Sequence, residues 1–252
     1  MSIQYNLLGT GESKVIVIHD WSQDVTSNDA IKPFLNQQAF TFALADVRGY
    51  GKSINLTGKY SATEVVKDVA QLADELGWSE FSLIGHSMTG MVVQRAMIDI
   101  PNRLKKVILT TPVPASGMNT DEETYNFFNS MVDDDEAFKA GMDGLTSAKY
   151  DSLWTNYKLE KNRQTVNPTA MRAYCDMWAK GDFSNEMKNI STPTLVVCGK
   201  HDNENLRLQA LKPNFSNWFS NFETIEMESG HYPMQEKPVE YAYIIQKFLA
   251  SN

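Results

Sequence analysis

The chain has 252 residues, 42% of them hydrophobic and 21% charged, with a formal net charge of −8. That is room for one substantial core, the make-up of an ordinary globular protein rather than a disordered or fibrous one, and a charge that repels polyanions, so no nucleic-acid partner is expected. Met1–Leu8 lacks the basic start and apolar run of a secretory leader, and no apolar run reaches membrane-spanning length, so no membrane partner is expected and the expected location is the cytoplasm.

In chain order, Ile3–Leu8, a Gly9–Thr10–Gly11 turn and Val15–Ile18 read as an opening hairpin that feeds a buried strand. Thr41–Ala45 is the next strand. Ser61 and Glu64 form a capping box ahead of Val65, Val66, Val69, Leu72 and Leu76, which recur at helical spacing until Gly77. Phe81–Ile84 is a short, mostly apolar strand running into Gly85, and Met91, Val92, Ala96 and Met97 continue as a helix until Pro101. Val107–Leu109 and Leu195–Val197 are strands of the same buried type. Between them, from about Pro112 to Ile190, the sequence is rich in Met and aromatic residues without a strand-like run, and reads as several helices. Phe222–Met227 is the last strand, and Val239–Leu249 is an amphipathic closing helix with Tyr241, Ile244, Ile245 and Phe248 inward.

This alternation predicts an α/β fold, a mostly parallel sheet with helices on both faces. Residues 1–111 and 191–252 form its core, and 112–190 an inserted helical cap. Cys175 and Cys198 are too few for a disulfide framework, lack metal or redox spacing, and read as buried thiols. The acidic run Asp133–Glu136 lacks the spaced ligands of a calcium loop and suits a helix N-terminus. No metal or cofactor is expected, and the sequence sets no oligomeric state.

The segment Gly85–His86–Ser87–Met88–Thr89–Gly90 puts a serine on a tight turn between a strand and a helix. It resembles the nucleophile elbow of the α/β-hydrolase family, with Thr89 standing where glycine is usual. Such a turn lifts the hydroxyl out of the sheet and points backbone N–H groups at developing negative charge. A serine hydroxyl needs a base and an orienting acid. The resemblance implies His231, in the loop Ser229–Pro233 before the closing helix, as base, and Asp202, the fourth residue of Gly199–Asp202, as acid. The loop Thr110–Gly117 offers no rival carboxylate. Of the other histidines, His86 is a structural neighbour of the serine and His201 faces solvent.

By the same resemblance the oxyanion donors are the N–H groups of Met88 and Trp21, the latter in His19–Asp20–Trp21–Ser22, where the family usually writes His-Gly. Asp20 there opposes charge build-up unless it turns away or is paired. Asp46–Ser53 matches the family's Asp-x-Arg-Gly-x-Gly-x-Ser turn and reads as a glycine-bent loop tied by an Asp46–Arg48 ion pair. Pro233–Pro238 matches the family's lead into the closing helix. Candidate pocket residues are His19, Trp154, Trp178 and Tyr232. The resemblance implies a serine hydrolase acting through an acyl-enzyme on an ester or lactone of a small to medium, largely apolar small molecule. A cofactor-free dioxygenase, a perhydrolase and a C–C bond hydrolase share a serine and histidine here and stay open. So does a non-catalytic ligand-binding or receptor protein.

Overall fold

A computed structural model describes residues 2–251. Seven strands form one sheet: β1 (Tyr5–Leu8), β2 (Ser13–Ile18), β3 (Phe40–Ala45), β4 (Phe81–His86), β5 (Leu104–Thr110), β6 (Thr194–Gly199) and β7 (Phe222–Met227). Their order across the sheet is β1-β3-β2-β4-β5-β6-β7. All neighbours run parallel except β1, which is antiparallel to β3. The inner strands β3, β4 and β6 are buried along their whole length, which is why they read as continuous apolar runs without alternation.

The opening hairpin does not form. β1 pairs with β3, and β3 lies between β1 and β2. The turn between β1 and β2 instead crosses the start of β3, with the Gly11 N–H on the Phe40 carbonyl at 3.2 Å. A Cβ at Gly11 would sit 2.0 Å from the Ala39 carbonyl carbon. The glycine therefore marks a close backbone crossing, not a two-strand turn. β2 is buried from Val15 to Ile18, so it gains more from two parallel neighbours at the sheet centre than from an edge partner.

Helix α1 (Ala62–Glu75) starts at Ser61, whose Oγ accepts the Glu64 N–H at 3.3 Å. The Glu64 carboxylate reaches the N–H groups of Lys59 and Tyr60 rather than that of Ser61, so only one arm of the capping box is made. α2 (Met88–Asp99) ends ahead of Pro101. Between β5 and β6 lie α3 (Glu122–Ser130), α4 (Asp135–Leu145), α5 (Ser152–Thr165) and α6 (Pro168–Lys180). Asp134 caps α4 by accepting the N–H groups of Glu136 and Ala137, the helix-start role that the acidic run suggested.

Helices α5 and α6 rest on loops at the carboxyl ends of β2 and β3. Asn162 Nδ2 donates to the Ser22 carbonyl at 2.8 Å, and the Trp21 indole donates to the Met171 carbonyl at 2.7 Å. The chain closes with α7 (Leu208–Trp218), α8 (Pro233–Glu236) and α9 (Pro238–Ala250). α9 buries Tyr241, Ile245 and Phe248, with Ile244 packed against the core. Among the described residues no helix is long and apolar enough to cross a membrane.

The Asp46–Arg48 pair is also absent. Asp46 accepts the N–H groups of Val25 and Lys52, both at 2.9 Å, while Arg48 forks onto Asp68 at 2.6 and 2.7 Å and reaches Glu64 at 3.2 Å. Gly51, at φ +47°, brings its backbone so close to Asp46 that a Cβ would lie 2.4 Å from the carboxyl carbon. That leaves the carboxylate caged by amides, and the guanidinium ties the loop to α1 instead. Both cysteines are buried and free, and burial pushes the Cys175 thiol up to about 12.

Candidate active site

Ser87 stands at the junction of β4 and α2 with φ +57° and ψ −119°, a strained conformation of the kind concentrated at functional sites. Its N–H is held by the Thr110 carbonyl at 2.9 Å. Glycine is required on either side. A Cβ at Gly85 would lie 2.4 Å from the Thr89 carbonyl oxygen, and one at Gly90 would lie 2.5 Å from Pro112 Cβ.

Thr89, where glycine is usual, braces the elbow. Its hydroxyl, fully buried, accepts the His86 N–H at 2.9 Å and turns its one proton between the carbonyls of His86 at 3.0 Å and Ile18 at 3.2 Å. It therefore sews the elbow to β2. Thr89→Val, of similar shape, leaves these groups unpaired and is expected to cost about 1–3 kcal/mol. Chemical denaturation measures this, and an unchanged midpoint would exclude the bracing role.

His231 reaches the serine from the loop after β7. Its Nε2 is 2.8 Å from Ser87 Oγ, and its Nδ1 is 2.7 Å from Asp202 Oδ2 in the loop after β6. All three side chains are buried. The carboxylate can only accept, so it selects the Nδ1–H tautomer and leaves Nε2 free to accept from the hydroxyl. The Asp202 carboxylate also takes the Asn203 N–H at 2.6 Å, and Arg207 Nε donates to the Asp202 carbonyl at 2.8 Å.

The histidine loop is anchored from several sides. The His231 N–H donates to the Leu145 carbonyl at the end of α4 at 3.0 Å. The His231 carbonyl accepts from His86 Nε2 at 2.8 Å and Thr111 Oγ1 at 3.1 Å. Glu236 accepts the N–H groups of Gly230 at 2.8 Å and Tyr232 at 3.0 Å. Glu236 and Leu145 carry no sequence signal for this task, because one is an ordinary surface-type residue and the other acts only through its backbone. His86 is neutral, since burial pushes it down to about 3, and it serves as a strut. His201 is exposed and lies 3.1 Å from Glu228.

Ser87 and His231 open on a cavity of about 80 Å³. Trp21, Met88, Phe128 and Trp178 contribute to its wall. Neither the Met88 nor the Trp21 N–H has an acceptor among the described residues, and both residues line the cavity. Of the four candidate pocket residues, Trp178 lines the cavity, and His19, Trp154 and Tyr232 do not. His19 is fully buried behind the turn, where its Nδ1–H donates to the Asp20 carbonyl at 2.8 Å and its Nε2 accepts the Val47 N–H at 3.1 Å. Trp154 packs on Tyr232 with ring centres 5.7 Å apart, and the Tyr232 hydroxyl meets Ser22 Oγ at 3.2 Å. These aromatics support the walls from behind. A larger depression of about 660 Å³ lies elsewhere, between α1 and α6, and shares no residue with the site. Among the described residues, no cluster of three or more His, Cys, Asp or Glu side chains is placed to hold a metal.

Asp20 is paired rather than turned to solvent. Its carboxylate accepts the Gln23 N–H and the Ser22 hydroxyl, each at 3.0 Å, and faces Lys158 Nζ at 4.0 Å and His86 Nδ1 at 3.9 Å. Burial alone raises its pKa, yet the Lys158 ammonium holds it below the ordinary carboxylate value.

Comparison with known proteins agrees with this architecture. The family model for the alpha/beta hydrolase fold matches residues 13–238. The pimeloyl-[acyl-carrier protein] methyl ester esterase of Aeromonas hydrophila is 25% identical, over 99% of this chain and 100% of that protein. A bromoperoxidase from Bacillus anthracis superposes with a TM-score of 0.88 at 22% identity, covering 99% of this chain and 95% of that one. An enol-lactonase from Burkholderia xenovorans gives 0.85 at 17% identity, covering 99% and 96%. The parallel sheet, the serine elbow and a family match over most of the chain establish that this protein belongs to the α/β hydrolase fold family.

Proposed function

We propose that the protein is a serine hydrolase that cleaves a carboxylic ester or lactone of a small, largely apolar substrate through an acyl-enzyme. The observation that carries this is the unbroken line from Ser87 Oγ through the His231 ring to Asp202 Oδ2, opening on a cavity beside two unpartnered amides. Ser87 Oγ attacks the carbonyl carbon as its proton passes to His231 Nε2. The oxyanion takes the N–H groups of Met88 and Trp21. The carbon–oxygen bond then breaks, the leaving alkoxide recovers the proton from His231, and water repeats the sequence to release the acid. In a lactone the leaving alkoxide stays tethered to the acyl group, and only one product leaves.

In this reading residues 112–190 are a cap over the core formed by 1–111 and 191–252, and Trp178 and Phe128 bring its apolar wall to the site. The Aeromonas relative, named for a methyl ester, points to the same reaction class. A cavity of about 80 Å³ suits a short acyl group. A fluorophosphonate probe tests the reading: wild type is expected to label at neutral pH and Ser87→Ala not at all, and an unlabelled wild type would reject it. Short-chain p-nitrophenyl esters are expected to turn over faster than long-chain ones, and a preference for charged substrates would count against the apolar acyl group.

A further inference from the structure

The least expected feature near the site is a lysine with no exposed surface. Lys158, on α5, has a relative exposure of 0%, which is rare for an ammonium unless its charge is used. Its Nζ donates to Gln23 Oε1 at 2.7 Å, lies 4.0 Å from Asp20 Oδ2, and sits 4.0 Å above the centre of the Tyr232 ring. Gln23 in turn donates its backbone N–H to Asp20 Oδ1, and Ser22 Oγ donates to Asp20 Oδ2. Lys158 thus closes a ring of contacts around residues 20–23, the turn whose Trp21 lines the cavity and has a backbone N–H without an acceptor among the described residues. Asn162, one helical turn further along α5, holds the Ser22 carbonyl of the same turn, and Tyr50 donates its hydroxyl to the Trp21 carbonyl at 2.8 Å.

We infer that Lys158 is a positioning residue of the oxyanion turn: its buried ammonium, bonded to Gln23 and set against Asp20, keeps the turn in the shape that presents the Trp21 N–H to the cavity. The inference rests on the serine-hydrolase reading. In that reading a carboxylate inside the oxyanion turn is tolerable only while it is ionised, accepting two hydrogen bonds and neutralised from behind. Asp20 supplies the acceptors that bend the turn, and Lys158 supplies the charge that keeps Asp20 an acceptor.

The arrangement has a titration built into it. The groups facing Lys158 are Asp20 and Asp24 of the turn, the Tyr232 ring from the histidine loop and Trp154 of its own helix, with His86 of β4 facing Asp20 from the other side. Burial pushes the ammonium down to about 8, with Asp20 and then Asp24 pulling the other way. Below that pH the pair is intact. As pH rises through it, Lys158 releases its proton to solvent, Asp20 loses its counter-charge in a dry site, and the turn loses its brace.

The test uses steady-state hydrolysis of p-nitrophenyl acetate and the rate of fluorophosphonate labelling, from pH 6 to 10. Wild-type kcat is expected to fall as pH rises through about 8. Lys158→Met is expected to lower kcat and labelling rate about 10- to 100-fold, with KM changed less than about threefold, since loss of an oxyanion donor acts on the transition state. Lys158→Arg keeps a charge over the whole range, and Asp20→Asn/Lys158→Met removes both charges; each is expected to lack the fall near pH 8. The second of these keeps the test open if Lys158→Met alone does not fold. A fall near pH 8 that persists in both variants, or a folded Lys158→Met with wild-type kcat and labelling rate, overturns the inference while leaving the serine reading intact. A wild type that never labels removes the reading itself, and this inference with it.

Discussion

Alanine at position 87 is expected to reduce ester turnover by about 10⁶-fold, the loss seen when the nucleophile of a serine–histidine–aspartate set is removed. The size of the effect follows from geometry. Ser87 Oγ is the atom 2.8 Å from His231 Nε2, and it opens on the cavity that Met88 and Trp21 also line. Alanine keeps the Cβ and so keeps the backbone at φ +57°, which leaves the elbow, the cavity and the binding of substrate in place. The loss therefore belongs in kcat, with thermal stability close to wild type. Steady-state kinetics on p-nitrophenyl acetate, with thermal unfolding on the same sample, measures both. Residual turnover above about a hundredth of wild type would assign the chemistry to another group, such as water activated by His231 alone.

Asp202→Asn is expected to cost about 10⁴-fold in kcat. The carboxylate sits 2.7 Å from His231 Nδ1 and is itself buried. An amide at this position can turn its NH₂ toward the ring and stabilise the tautomer that carries the proton on Nε2. That tautomer cannot take a proton from serine. The carboxamide oxygen can still accept the Asn203 N–H that Asp202 Oδ1 holds at 2.6 Å, so the loop keeps its shape while the base is disabled. A kcat within about tenfold of wild type would show that His231 is oriented by its backbone anchors alone.

Most of the fold was legible because its signals are local. The short apolar strands, the serine between two glycines and the capped helix after Ser61 each declare themselves within about fifteen residues. What was not legible depends on partners distant in sequence. The Gly9–Gly11 turn looks like a hairpin until β3 claims β1. Asp46 and Arg48 have the spacing of an ion pair until Gly51 closes the amide cage around the carboxylate. α7 carries Pro213 inside it and its N-cap residue, Arg207, makes no side-chain cap, so it gives no clean helical signature.

The same division holds at the site. The structure brings the side chains of Ser87, His231 and Asp202 together. Lys158 and Asn162 carry no sequence signal because the apolar residues of α5, Leu153, Trp154, Tyr157 and Leu159, are scattered around it, while its buried positions carry Thr155, Lys158 and Asn162, which in sequence look like a solvated face. Of the four aromatic and histidine candidates for the pocket wall, only Trp178 has a side chain at the cavity. A ring near a turn can as readily brace the turn as line the space in front of it.

The hydrogen bond from the His231 amide to the Leu145 carbonyl has a wider consequence. Together with the contacts of Asn162 and Met171 to the turn after β2, it means that the helices between β5 and β6 share hydrogen bonds with both the histidine loop and that turn. They are not an exchangeable accessory. Transplanting this stretch into a related scaffold, or replacing it here to alter preference, would move His231 and the turn at Trp21 along with the wall, so any redesign must carry positions 145, 158, 162 and 171 as a set.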